Sequence, residues 1–276
     1  MAFNSLVTLN DGSKMPQLGF GVWQVPDDGA EAAVIEAIKV GYRSIDTAAI
    51  YRNEGGVGRA IKNCGLNRKD LYITTKLWNE DQGYDNAMKA IDSSLKKLGV
   101  EEVDLYLVHW PAPQRGLYLE TWKAMVEIKK QGKAKSIGVS NFMPEHLTRI
   151  IEATGVAPVL NQIELHPKFQ QPILREFHNR HEIKTECWSP LGQGKLLEDS
   201  KIKAIAAKHG KTPAQVIIRW HLQNDFIVIP KSVTPSRIKE NFEIGDFVLS
   251  ADEMAVMAGM DDNEGRIGPN PMTAQF

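Results

Sequence analysis

Apolar positions along this chain fall into short runs that alternate with longer stretches of helical period. Runs of the strand type occupy residues 18–21, 43–46, 71–76, 103–109, 136–139, 159–164, 184–188 and 226–229. Segments with apolar residues three and four apart lie between and after them, at 29–40, 58–64, 85–98, 118–131, 144–153, 171–179, 200–209 with 213–223, and 235–242. Strands that alternate with helices predict parallel βαβ units. Gly41, Gly99 and Gly132 punctuate the helical segments where C-caps belong. Eight units in 276 residues predict an α/β fold, a (β/α)8 TIM-type barrel forming one domain over 1–276. Ahead of them, Leu6 to Leu9, a turn at Asn10-Asp11-Gly12 and Met15 to Gln17 predict an N-terminal β-hairpin that plugs the bottom of the barrel. Extra helical material, including 251–260, falls in the last two intervals.

A doubly wound dinucleotide fold is the competing arrangement, and its sign is G-x-G-x-x-G opening the first helix. Gly19 and Gly21 precede no helix directly, and Gly55-Gly56-Val57-Gly58 lacks the third glycine at the right offset, so that cluster reads as a turn with close helix packing.

Composition narrows the setting. A net charge of -1 gives nucleic acid or a membrane surface nothing to steer toward. Two cysteines, Cys64 and Cys187, do not make a disulfide scaffold, and Cys187 sits in an apolar strand as a small buried thiol. The start, Met1 to Ser5, lacks a signal peptide's basic and apolar regions, and no run reaches the ~20 apolar residues of a membrane helix. These features predict a cytoplasmic location, and a monomer is expected. No metal is expected: His178 and His181 lack a third ligand nearby and read as surface histidines, and Asp261-Asp262-Asn263-Glu264 departs from calcium-loop spacing. Gly192 to Lys195 lacks the spacing of a P-loop, and His166 and His209 have no evident partner.

The chemistry concentrates where strands stop. Asp46 ends one apolar run, Tyr51 follows a helical turn later, Lys76 ends the next strand and His109 the one after. In a parallel barrel all strand C-termini open on one face, so a carboxylate, a phenol, an ammonium and an imidazole converge there. A free phenol titrates near ~10, too high for an efficient donor, and an adjacent ammonium lowers that value. Lys76 is expected to supply the charge, Asp46 to hold Lys76, and His109 to hydrogen-bond a substrate carbonyl. Protonating a carbonyl oxygen matters most when a hydride attacks the carbon.

Six runs then stand together in order: Gly-Tyr-Arg-Ser-Ile-Asp-Thr-Ala at 41–48, Ile-Thr-Thr-Lys-Leu-Trp at 73–78, Leu-Val-His-Trp-Pro at 107–111, Ser-Ile-Gly-Val-Ser-Asn-Phe at 136–142, Asn-Gln-Ile-Glu-Leu-His-Pro at 161–167 and Ile-Pro-Lys-Ser-Val-Thr-Pro at 229–235. Across essentially its whole length the chain resembles the aldo-keto reductase family, on the side of its prokaryotic 2,5-diketo-D-gluconate and methylglyoxal reductases. The resemblance implies NADPH as cofactor, a small-molecule carbonyl as substrate, and Asp46, Tyr51, Lys76 and His109 as the catalytic set, with Tyr51 as general acid. It further implies that Ser140, Asn141 and Gln162 bind the nicotinamide carboxamide and that Trp188 stacks on the ring where many eukaryotic members carry tyrosine. Gly21, Val22, Ser189, Pro190, Leu191 and Gln193 are implied for the rest of the cofactor groove. Lys231, Ser232, Val233, Thr234, Arg237, Glu240 and Asn241 match the family's adenosine and 2′-phosphate segment. Trp23, Trp78 and Trp110, with His109, follow strand ends as an aromatic wall for substrate, and the short loop 111–116 and short tail 269–276 imply an open, shallow site for small polar carbonyls. Barrels of this family also serve as cofactor-bound sensors or structural proteins, and NAD-dependent alcohol oxidation is the third reading; the intact four-residue set favours the reductase.

Overall fold

A computed structural model of the protein describes residues 5–274; the first four residues considered for a signal peptide and the last two of the tail, Gln275 and Phe276, lie outside the described residues. Its elements run β1 (Leu6–Thr8), β2 (Lys14–Pro16), β3 (Gly19–Gly21), α1 (Asp27–Val40), β4 (Ser44–Asp46), α2 (Glu54–Asn63), β5 (Tyr72–Leu77), α3 (Tyr84–Leu98), β6 (Val103–Val108), α4 (Tyr118–Lys130), β7 (Ala134–Ser140) and α5 (Pro144–Thr154). They continue with β8 (Leu160–Glu164), α6 (Pro172–Arg180), β9 (Lys184–Trp188), α7 (Ser200–His209), α8 (Pro213–Gln223), β10 (Ile227–Val228), α9 (Pro235–Phe242) and α10 (Ala251–Ala258). Strands β3 to β10 form one eight-stranded sheet in chain order, each pair parallel. A parallel bridge between Leu18 and Val228 joins its edges, backed by Val228 N–H to Gln17 O at 2.9 Å and Gly21 N–H to Pro230 O at 3.2 Å. The barrel is thereby closed, as the eight alternating units predict.

Period-two side-chain alternation divides each strand. Phe20, Ile45, Ile73, Tyr106, Val108, Ile137, Val139, Ile163, Cys187 and Val228 join the main core cluster with the helices, and Cys187 is fully buried as expected. Tyr72, Leu105, Leu107, Leu160 and Ile227 form a second cluster with Leu9 and Met15 of the hairpin. The hairpin does plug the barrel. Burying an apolar side chain of this size contributes about 1.5–3 kcal/mol, and polar bonds fix the plug's position. Asp11 accepts from Lys129 Nζ at 2.6 Å and Ser136 Oγ at 2.8 Å. Partial burial alone would raise the Asp11 carboxyl, but its bonds from Lys129, Ser13 and Ser136 hold it down, to about 2.

Two boundaries differ from the sequence pattern for identifiable reasons. Helix α2 begins at Glu54 rather than at Gly58, so the glycines are helical and not a turn. Their role is close approach: a Cβ on Gly56 would sit 2.3 Å from Asp27 O, and one on Gly58 would sit 2.6 Å from Lys97 O. Strand β10 is only Ile227–Val228, not four residues, because Pro230 has no N–H to continue the ladder.

Candidate active site

Asp46 ends β4, Lys76 lies near the end of β5, and His109 directly follows β6. Tyr51 closes a 3₁₀ turn, Ala49–Tyr51, that leaves the Asp46 strand. This turn is held from beneath: Thr47 Oγ1 donates to Asn53 Oδ1 at 2.7 Å, and Asn53 Nδ2 donates to Val22 O at 2.9 Å and Val25 O at 2.8 Å. The four side chains meet. Lys76 Nζ donates to Asp46 Oδ1 at 2.5 Å, to Thr47 O at 2.9 Å and to Tyr51 OH at 3.4 Å. The His109 ring stands edge-on to Tyr51, centroids 5.6 Å apart, and to Trp78 at 5.3 Å.

Electrostatics separates their protonation states. Burial works against the Lys76 ammonium, but the Asp46 carboxylate more than compensates and raises its pKa. Burial, then the nearby Lys76 charge, pushes His109 well below the ordinary histidine value, so the imidazole is neutral at physiological pH. Lys76 draws the Tyr51 phenol downward as expected, but not below its ordinary value. Burial raises the phenol, Lys76 offsets only part of that, and Asp46 raises it again. The net direction is upward, so Tyr51 is a protonated phenol at neutral pH. Lys76 lowers the cost of forming a phenolate without creating one.

The polar groups expected around a carboxamide are already wired together. Ser140 Oγ donates to Gln162 O at 2.8 Å, and Asn141 Nδ2 donates to His109 O and to Ser140 Oγ, both at 3.0 Å. Asn141 takes a left-handed conformation (φ 63°), and its Oδ1 accepts from Trp188 Nε1 at 2.9 Å. The indole at this position therefore does something a phenyl ring does not: it fixes the neighbouring amide. Gly21 and Val22 are buried beside the Asp46 backbone, where Val22 N–H donates to Asp46 O at 3.1 Å. Ser189 and Gln193 have positive φ (48° and 52°) in the irregular loop after β9, with Pro190 buried and Leu191 half-buried between them.

On the far side, α9 starts at Pro235 after the turn Lys231 to Thr234, where Ser232 Oγ accepts from Thr234 N–H at 3.1 Å. Lys231, Val233, Thr234 and Arg237 are exposed, whereas Ser232 and Asn241 are buried. Glu240 is held by Thr212 Oγ1 at 2.8 Å. Of the indoles, Trp23 is 43% exposed, Trp78 half-buried and Trp110 buried, its carbonyl accepting from Gln82 Nε2 at 2.8 Å. Gln114 in the 111–116 loop donates to Ala274 O of the tail at 2.8 Å.

Two residues with consequences for the site, Glu164 and Glu186, were not singled out from the sequence. Glu164 at the end of β8 accepts from Ile267 N–H at 2.6 Å and Gly268 N–H at 2.8 Å, drawing the tail over the barrel mouth against Trp188. It also pairs with His166 Nε2 at 3.1 Å, so that histidine has a partner after all, as does His209 with Glu253 at 2.9 Å. Glu186 lies inside the barrel, bonded by Gln162. His178 is fully buried rather than at the surface, between Asn161 Nδ2 at 3.0 Å and Thr185 Oγ1 at 2.9 Å, because its helix face packs onto β8 and β9. Among the described residues, no three His, Cys, Asp or Glu side chains gather to hold a metal ion, and no helix is long and apolar enough to cross a membrane.

Comparison with known proteins agrees with the fold. The profile of the "Aldo/keto reductase family" matches residues 16–262. The chain is 54% identical over 273 residues to the methylglyoxal reductase DkgA of Escherichia coli (strain K12), covering 98% of each. It is also 54% identical over 270 residues to an aldo-keto reductase of Mycolicibacterium smegmatis (strain ATCC 700084 / mc(2)155), again covering 98% of each. Among solved structures, a mutant of Gox0644 in complex with NADPH superposes with a TM-score of 0.96 at 54% identity, covering 99% of each chain. A barrel of eight parallel strands with an N-terminal hairpin, and a match over nearly the whole sequence, lead to one conclusion: this chain belongs to the aldo/keto reductase family.

Proposed function

We propose that the protein is an NADPH-dependent reductase of small aldehydes and ketones, of the methylglyoxal, 2,5-diketo-D-gluconate and ketoester type, with Tyr51 as general acid. One observation carries the reading: a buried ammonium sits 2.5 Å from Asp46 and 3.4 Å from the Tyr51 hydroxyl, beside a neutral His109, where the strands end. A protonated phenol is ready to give its proton to a carbonyl oxygen. The phenolate left behind forms 3.4 Å from Lys76 Nζ, whose charge stabilises it. Neutral His109 offers a hydrogen-bond donor that orients the same oxygen. A positioned general acid contributes about 10²–10⁴-fold.

The residues present fit the cofactor. Lys231 and Arg237 are exposed and, among the described residues, neither is engaged by an acidic side chain, so both charges are available to a 2′-phosphate. Arg237 adds a planar fork and Lys231 a point charge. When bound, NADPH supplies the hydride that attacks the carbonyl carbon. Ser140, Asn141 and Gln162 would hold its carboxamide, and Trp188 its ring. The loop at 111–116 is short and the Trp23 indole open to solvent, which favours small polar substrates that gain little from apolar cover. A monomer in the cytoplasm accords with this reading.

The test is steady-state NADPH consumption across methylglyoxal, 2,5-diketo-D-gluconate, a small ketoester, an aldose and a bulky steroid ketone. The small dicarbonyls and ketoacids should show the higher kcat/KM. Preference for the steroid, or no consumption with any of them, overturns the proposal.

A further inference from the structure

Glu186 is a carboxylate in the middle of β9, fully buried among the barrel's interior side chains. Nothing in the acid–base chemistry above uses it. Its surroundings are specific: Asp46 of β4, Lys76 and Tyr72 of β5, Gln162 of β8 and Tyr51 all lie near enough to interact with it electrostatically or by hydrogen bonding. Gln162 bridges the two carboxylates, its Nε2 donating to Asp46 Oδ2 at 2.9 Å and to Glu186 Oε2 at 2.8 Å. The other oxygen of Asp46 is taken by Lys76 at 2.5 Å.

A primary amide nitrogen carries two hydrogens, and here both are committed. Turning the amide over would set a carbonyl oxygen against the Asp46 carboxylate, acceptor against acceptor. Gln162 can therefore offer only its carbonyl oxygen to anything that binds beside it. The adjacent donors are spent in the same way, since both hydrogens of Asn141 Nδ2 and the hydroxyl of Ser140 are already given to His109 O, Ser140 Oγ and Gln162 O. What remains in this corner is acceptor capacity. That suits the NH₂ end of a carboxamide and not a carbonyl.

We propose that Glu186 is a positioning residue that, with Asp46, captures both amide hydrogens of Gln162 and so makes the pocket select the amide NH₂ of the nicotinamide. The inference rests on the reading of Gln162 as a carboxamide contact. Burial, then the nearness of Asp46, pushes the Glu186 carboxyl up to about 8. At neutral pH it therefore accepts from Gln162 without adding a second buried negative charge. Removing the acceptor frees one hydrogen of Gln162, and the corner can then also satisfy a carbonyl.

The test compares binding of NADPH with that of its analogue in which an acetyl group replaces the carboxamide, read by quenching of tryptophan fluorescence. Wild type should prefer NADPH by roughly 2–10-fold, the worth of one neutral hydrogen bond. Glu186→Met, similar in length and lacking an acceptor, should shrink that preference toward unity, mainly by tightening the analogue. Glu186→Gln, which keeps an acceptor oxygen, should retain it. Should Glu186→Met not fold, Glu186→Ala carries the same comparison. An unchanged preference in the acceptor-free variant, an equal loss of both cofactors, or narrowing in Glu186→Gln as well would each overturn the assignment. If wild type binds neither cofactor, or Gln162→Ala leaves NADPH affinity intact, the underlying reading of the pocket fails instead.

Discussion

Replacing Lys76 by methionine tests the proposed chemistry most directly, because the structure supplies the magnitude. The ammonium lies 3.4 Å from the phenol oxygen. At an effective dielectric of ~20 a unit charge at that distance stabilises a phenolate by about 5 kcal/mol. Most but not all of that charge has developed in the transition state, so about 3–4 kcal/mol should be lost from it. At ~1.4 kcal/mol per decade, kcat falls by roughly 10²–10³-fold. The substitution also strands Asp46, and an uncompensated buried charge costs about 3–5 kcal/mol. A domain stable by ~5–15 kcal/mol survives that, with a lowered Tm. The assay is single-turnover oxidation of NADPH by methylglyoxal, well below the variant's Tm, normalised to folded protein, with NADPH affinity measured separately. The kcat loss should appear with cofactor affinity within a few-fold of wild type. A single-turnover rate within about fivefold of wild type would refute the reasoning, as would a defect confined to NADPH affinity.

Other consequences follow from named contacts. Tyr51→Phe should remove most reduction, about 10²–10⁴-fold, while NADPH still quenches tryptophan fluorescence; near-normal turnover rules out the phenol as acid. Arg237→Ala should weaken NADPH far more than NADH, with added salt eroding the same difference, whereas equal losses would mean that Arg237 only stacks on adenine. Trp188→Phe keeps a ring but gives up the 2.9 Å bond to Asn141 Oδ1, so NADPH affinity should fall about 2–10-fold, and an unchanged Kd would show that the amide needs no such anchor. Asp11→Asn should lower Tm at neutral pH. The folded carboxyl is depressed from 3.8 to about 2, so wild type's advantage is present above pH 3.8 and vanishes as pH falls toward 2. A Tm difference that persists at the acid end would remove Asp11 as the plug's anchor.

The parts legible in the sequence are those that depend on direction along the chain. Parallel strands all end on one face, so Asp46, Lys76 and His109 could be brought together from their positions alone, and Tyr51 with them. The hairpin was legible because Asn10-Asp11-Gly12 is turn chemistry between two short apolar runs. Glycines were ambiguous: the freedom that makes a turn is also the missing Cβ that lets α2 approach Asp27 O and Lys97 O, and only the packed structure shows which is used. His178 looked like a helix-surface residue because its partners, Asn161 and Thr185, lie on two different strands. Long-range pairing has no local signature. The net shift of Tyr51 was illegible for a related reason, since the sign of the Lys76 interaction follows from charge whereas the larger desolvation depends on what covers the phenol.

Glu186 shows where sequence reading stops and what a charge count adds. In Lys184-Thr185-Glu186-Cys187-Trp188 a lone glutamate looks like the solvent side of a half-exposed strand, and nothing local says that the alternate face is a sealed barrel. Once it is inside, the interior holds the Lys76 cation against the carboxyls of Asp46 and Glu186. The cation is bonded to Asp46, so a proton on Glu186 is what keeps this group from carrying an excess negative charge. Ionising it would act on the Tyr51 phenol in the upward direction. The folded carboxyl lies at about 8 against an ordinary 4.5, so folding retains a proton that the unfolded chain releases between those values. Stability therefore falls as pH rises across that window. A buried group held at that cost, with an amide bonded to one of its oxygens, is better explained by what it does to Gln162 than by what it contributes to the fold.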